Sequence, residues 1–82
     1  RLVVEMRVSQ ASGAQVFWTN ATVPHAVEHA SAHAHAPADG QFHRLVFEVG
    51  RNEAWGGCIT SLRFDPTSVA GAVVEIKSIA LE

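Results

Sequence analysis

The stretch "AVVEIKSIALE", residues 72–82, decides how this chain folds. Val74 and Ile76 lie two apart and share one face of an extended chain. Ile79 and Leu81 also lie two apart, but with the opposite parity. A regular strand would split these apolar side chains between its two faces, because a slip of one residue turns every later side chain over. One extra residue left out of the ladder, a β-bulge at Lys77-Ser78, restores a single apolar face. The stretch therefore predicts a bulged strand with one side committed to a core.

The same period of two runs through the rest of the chain. In "LVVEMRV" (2–8), Leu2, Val4, Met6 and Val8 share one face, and Glu5 and Arg7 the other. "AQVFWTN" (14–20) puts Val16 and Trp18 on one side and Phe17 on the other, and the "QASG" turn before it suggests a hairpin of these first two strands. "FHRLVFEVG" (42–50) directs Leu45, Phe47 and Val49 one way, and Arg44 and Glu48 the other. "CITSLRFD" (58–65) is expected to turn Cys58, Leu62 and Phe64 inward, and Ser61 and Arg63 outward. "DPTSVAG" (65–71) is a turn, with Pro66 presetting φ and Asp65 able to accept from backbone amides ahead of it. Five strands without a firm helix imply an all-β chain, a small antiparallel β-sandwich. Its expected core is Val4, Met6, Val16, Leu45, Phe47, Leu62, Phe64, Ile76 and Ile79.

Length and composition agree. With 82 residues, 48% hydrophobic and 17% charged, the chain is one module, and its abrupt start at Arg1 reads as a piece of a larger protein. So small a chain buries roughly 60% of its unfolded surface, enough for a core but not for a deep active-site cleft. A net charge of -2 gives no reason to expect nucleic acid as a partner, and no apolar run is long enough to insert into a membrane. Cys58 is the only cysteine, which excludes an intrachain disulfide, leaves the compartment open and reads as a small buried hydrophobe. One lysine, no tyrosine and abundant Ala, Val, Gly and Arg suggest a GC-rich, bacterial genome.

The most unusual tract is "HAVEHASAHAHAP" (25–37), with His25, His29, His33 and His35. On a helix, His25, His29 and His33 would form one stripe able to chelate zinc, nickel or copper. In an extended chain, His33 and His35 would share a face. Alanines between the histidines leave little to anchor a frame, so residues 25–36 are expected to form an exposed, mobile connection, with at most one turn of helix or a short strand, and no ordered metal. Catalysis is not expected either. Cys58 with any histidine lacks a third orienting group, and there is no nucleophile-elbow motif and no glycine-rich phosphate loop. Nothing in the sequence calls for a cofactor.

What remains is aromatic. Trp18 reads as core. Trp55, beside Gly56-Gly57, either plugs one end of the sandwich or stands out of it. If the module holds a sugar, Trp55 is the candidate platform, with His43 or Arg63 as polar partners. Arg63 and Asp65 also share a strand face, where a surface ion pair is the simpler expectation.

The second half of the chain resembles a known family. The "DGQFHR" strand entry (39–44), Trp55-Gly56, "ITSLRFDP" (59–66), Gly71 and "VEIKSIAL" (74–81) follow the order found in galactose-binding-like jelly-roll modules. "AQVFWTN" is similar to their upstream strand with its Phe-Trp pair. The resemblance covers residues 15–82 apart from the histidine tract. It is strongest to carbohydrate-binding-type domains attached to bacterial glycosyltransferases and other polysaccharide enzymes, although "DGQFHR" alone also occurs in laminin-G-like sandwiches. It implies a jelly-roll fold and a non-catalytic accessory role, with a glycan and the neighbouring domains of the parent protein as partners. A structural module without a sugar ligand is the alternative. Two departures limit it. Such modules usually run well beyond this length, so one or two edge strands would be missing or reduced. Where many of them place an acidic calcium ligand in the closing strand, this chain has Lys77, which has no lone pair to offer a cation.

Overall fold

The computed structural model describes residues 1–82 and contains six strands. They are β1 (Leu2–Val8), β2 (Ser12–Thr19), β3 (Ser31–Ala36), β4 (His43–Phe47), β5 (Ser61–Asp65) and β6 (Val74–Leu81). The only helical pieces are single 3-10 turns at Glu28–Ala30 and Val49–Arg51. All pairings are antiparallel and build two three-stranded sheets, ordered β4-β1-β6 and β3-β2-β5. The chain is all-β and sandwich-like, with one apolar core shared between the sheets.

The strands with the cleanest alternation take the central positions. Every inward residue of β1 (Leu2, Val4, Met6, Val8) and of β2 (Ala14, Val16, Trp18) is buried. From β4 come Leu45 and Phe47, followed by Val49 in the turn beyond it. Phe47 meets Phe64 edge to face at 5.9 Å. The expected hairpin of β1 and β2 does not form. Ser9–Ala11 carries the chain from one sheet to the other, so each strand finds both of its neighbours elsewhere. Period two says which face is apolar; it does not say which strand lies alongside.

The bulge in β6 is where parity places it. Glu5 pairs with Ser78, and Met6 pairs with Ile76, so Lys77 is the residue left over. Val74, Ile76, Ile79 and Leu81 thereby stand opposite Val8, Met6, Val4 and Leu2, all on the inner face. Lys77 turns to the outer face, 3.5 Å from Glu5 and 5.7 Å from the centre of the Phe42 ring.

Three further expectations are corrected. The histidine tract is not a loop throughout: residues 31–36 form β3, paired along β2 from Ser12 to Phe17. Alternating alanines are small enough to lie over the core, so Ala32 and Ala34 pack against it and Ala36 is buried. Cys58 is exposed, because the strand begins only at Ser61, and Ile59 packs against the core in its place. Leu62, Ile76 and Ile79 point inward yet stay 44%, 46% and 52% exposed. They lie on β5 and β6, the edge strands on one side of the core. On the other side β3 and β4 approach each other, whereas β5 and β6 make no comparable contact and leave that side open.

Candidate functional site

The connection between β4 and β5 folds against the end of β2 and is fixed there by three side chains. Asn20, just past β2, accepts from the backbone N–H groups of Thr22 (3.0 Å) and Val23 (2.8 Å) through Oδ1. Its Nδ2 donates to the carbonyls of Ala54 (2.9 Å) and Gly56 (3.2 Å). Asn20 is buried, so using its whole amide in this way avoids the cost of an unpaired polar group. Trp18 Nε1 donates to the same Ala54 carbonyl at 3.0 Å. Asn52 Nδ2 donates to the carbonyls of His29 (3.0 Å) and Ser31 (3.2 Å), and its Oδ1 accepts from Ala54 N at 2.8 Å. Gly57 turns the chain back with φ of 62°, a conformation that costs other residues a Cβ clash. No buried side-chain polar atom lacks a partner.

This end of the molecule holds an open cleft of about 410 Å³. Asn20 and Thr22 from beyond β2, Glu53, Gly56, Gly57 and Cys58 from the β4–β5 connection, and His29 line it. Trp55, in the same loop but not lining the cleft, is half-buried and packs edge to face on Trp18, 5.1 Å between centroids. It therefore plugs the end of the core without being fully buried.

The cleft collects a thiol, an imidazole and a carboxylate, but no hydrogen bond or ion pair joins Cys58, His29 and Glu53. No three His, Cys, Asp or Glu side chains anywhere in the chain gather closely enough to hold a metal ion. The four histidines of the tract are dispersed. His25 is exposed in the connection before the 3-10 turn, and His29 lines the cleft. His33 and His35 stand exposed on the outer face of β3. His33 Nε2 lies 3.1 Å from Glu28, which also accepts from Gln15 Nε2 at 2.9 Å. The Gln15 hydrogen bond first, and then that of His33, hold the Glu28 carboxyl below its ordinary value.

The three residues considered for a sugar site occupy three different surfaces. Trp55 is at the cleft end. His43 opens β4 at the other end of its sheet, opposite Met6, with Nε2 2.8 Å from Asp39. That hydrogen bond, followed by the Gln41 amide, lowers the Asp39 pKa. Arg63 lies on the outer face of β5, bound to Asp65 at 2.9 and 3.0 Å and stacked 5.0 Å over Phe17. The Asp65 hydrogen bonds and charge raise its pKa. Outside aromatic faces are thus covered by cations: Phe17 by Arg63, and Phe42 by Arg7 at 4.7 Å. Asn20, Asn52 and Glu53 escape a reading by motif, although an Asn directly after an apolar strand is a recognisable turn signal.

Comparison with protein families, curated proteins and solved structures finds no match to this chain.

Proposed function

We propose that this chain is a non-catalytic accessory module of a larger, bacterial glycan-active protein, and that a carbohydrate binds in the cleft beside Trp55. The observation that carries this reading is the fixed loop 52–57. Trp18, Asn20 and Asn52 hold its backbone before any ligand arrives, so binding does not have to order it. The cleft is within the usual size of small-ligand sites, and it mixes apolar wall with a few polar groups, His29, Glu53 and Thr22 among them. Trp55 lies between the lining residues Ala54 and Gly56, where an indole edge could add apolar surface for a sugar ring at the rim. The jelly-roll resemblance of residues 15–82, apart from the histidine tract, points the same way. Of the sequence candidates only Trp55 adjoins this cleft, without lining it; His43 and Arg63 belong to other surfaces.

The test uses two reporters that the chain already carries. A panel of oligosaccharides is titrated while tryptophan fluorescence is followed, and the rate at which Ellman's reagent modifies Cys58 is measured alongside. A bound sugar shifts the Trp55 emission and slows the thiol reaction together. A panel that moves neither signal removes the sugar reading.

A second reading is favoured by a different observation, the uncovered inner faces of β5 and β6. A module that works through protein contacts alone would use that open side and leave the cleft empty.

A further inference from the structure

The open side has a specific shape. Leu62 and Phe64 of β5 pair with Trp18 and Val16, and Ile76, Ile79 and Leu81 of β6 pair with Met6, Val4 and Leu2. All of them point between the sheets, where nothing covers the outer part of the core. β5 and β6 are also the free edges of their sheets on that side. A complete cover must therefore add one strand to each sheet, at the spacing of about 10 Å between stacked sheets, with apolar side chains between them.

The chain itself is such an object. We propose that the open β5/β6 side is the seat of a second copy of this chain. A two-fold axis perpendicular to the sheets and passing through the open side sets β6 antiparallel to its counterpart, and β5 antiparallel to its own. Two continuous six-stranded sheets then enclose one core, and both pairs of free edges disappear.

The charges at the rim permit this arrangement. Arg63 is neutralised by Asp65 at 2.9 Å, Glu75 by Arg7 at 2.6 Å and Lys77 by Glu5 at 3.5 Å, so neither edge presents an unpaired charge to its copy. The bulge at Lys77 limits edge pairing on β6 to the residues after it. A register centred on Ala80 sets Ile79 against the partner's Leu81 on the inner face. The exposed parts of Leu62, Ile79 and Leu81, the inner-face residues beside that register, would remove roughly 400 Å² of apolar surface from water in a pair of copies. Even with the strand edges added, the seam stays below the roughly 1,000 Å² of a stable specific interface. The pair is accordingly a reversible dimer that forms with rising concentration.

Sedimentation velocity on the 82-residue chain, from about 1 μM to about 1 mM, reads this directly. The mass rises from 8.8 kDa to twice that value and stops there. Ile79→Lys and Leu62→Lys, one in each sheet, each move the midpoint at least about tenfold higher, and Gln10→Lys, away from the seam, does not move it. Near-UV circular dichroism of the Trp18–Trp55 pair verifies that each variant folds, and Leu81→Lys replaces Ile79→Lys if the latter does not. A monomer across the whole range overturns the proposal. So does a dimer indifferent to both substitutions, a mass that keeps growing beyond two copies, or an open side that only another protein covers. None of these results depends on whether the cleft holds a sugar.

Discussion

At the scale of single residues, direction and burial separate. Parity read along the strands puts Val4, Met6, Val16, Leu45 and Phe47 inward, and all five are buried. The same parity puts Leu62, Ile76 and Ile79 inward, and they are not, because a side chain can face a core that has no roof above it. The distinction has a measurable consequence. Phe47→Ala empties a fully enclosed site against Phe64 and should cost about 3–5 kcal/mol in urea denaturation, enough to unfold much of the population. Leu62→Ala removes a side chain already nearly half in water and should cost about 1 kcal/mol at concentrations where the chain is monomeric. Equal losses would mean that the open side is closed in solution. Asn20 gives a sharper test of the cleft. Asn20→Asp keeps the oxygen that accepts from Thr22 and Val23 but sets a carboxylate against the carbonyls of Ala54 and Gly56. It should lower stability by about 2–3 kcal/mol and loosen loop 52–57, seen as a red shift of Trp55 emission before the main unfolding transition.

At the scale of elements, the clearest success of sequence reading and its clearest miss come from the same rule. The bulge in β6 follows from one broken parity, and Lys77 is the surplus residue. Deleting Lys77 should therefore leave a regular strand in which Ile76 and Ile79 keep their inner positions; the melting temperature should fall by only a few degrees. Deleting Arg63 from the middle of β5 instead makes Leu62 and Phe64 neighbours on opposite faces, so one must leave its partner Trp18 or Val16, and should be far more damaging. Comparable losses in the two deletions would refute the assignment of Lys77. The miss is β3. Its inward residues are alanines, which carry no hydrophobic signal of their own, and its outward residues are histidines, which suggest chemistry before they suggest a strand. What holds β3 is its ladder to β2 and the outer-face group of Gln15, Glu28 and His33. Because Glu28 titrates below its ordinary 4.5, the carboxylate contributes stability above the unfolded-state pKa, and this is lost as pH falls through the lower folded value. Acid titration by NMR should show the Gln15 side-chain amide moving with that lowered midpoint, and Glu28→Gln should abolish the movement while β3 stays paired. A midpoint at or above 4.5 would show that the hydrogen bonds to Glu28 do not persist in solution.

At the scale of the whole molecule, the asymmetry between the two sides governs behaviour. The side where β3 meets β4 is closed, and the central strands β1 and β2 are sealed by it. On the other side β6 has no buried residue along its length, and its inner face is apolar. Sequence could give the apolar face but not its exposure, since burial there depends on what stands opposite, and that is a property of the assembled sheets. Stability should consequently be graded across the molecule. Amides of β1 that bond to β4, and those of β2 that bond to β3, should exchange with deuterium only by global unfolding. Amides of β6 that bond to β1 should exchange by a smaller opening, in which β6 leaves the edge without exposing Trp18 or Phe47. At low concentration the two groups should separate by at least about tenfold in exchange rate, and urea should accelerate the β1–β4 group far more steeply than β6, because the smaller opening exposes less surface. Raising the concentration should slow β6 alone, as a second copy covers its edge, and Ile79→Lys should remove that slowing without changing the β1–β4 amides. Uniform exchange at every concentration would mean that β6 is held as firmly as the centre of the sheet, and that the open side is not the weak part of this fold.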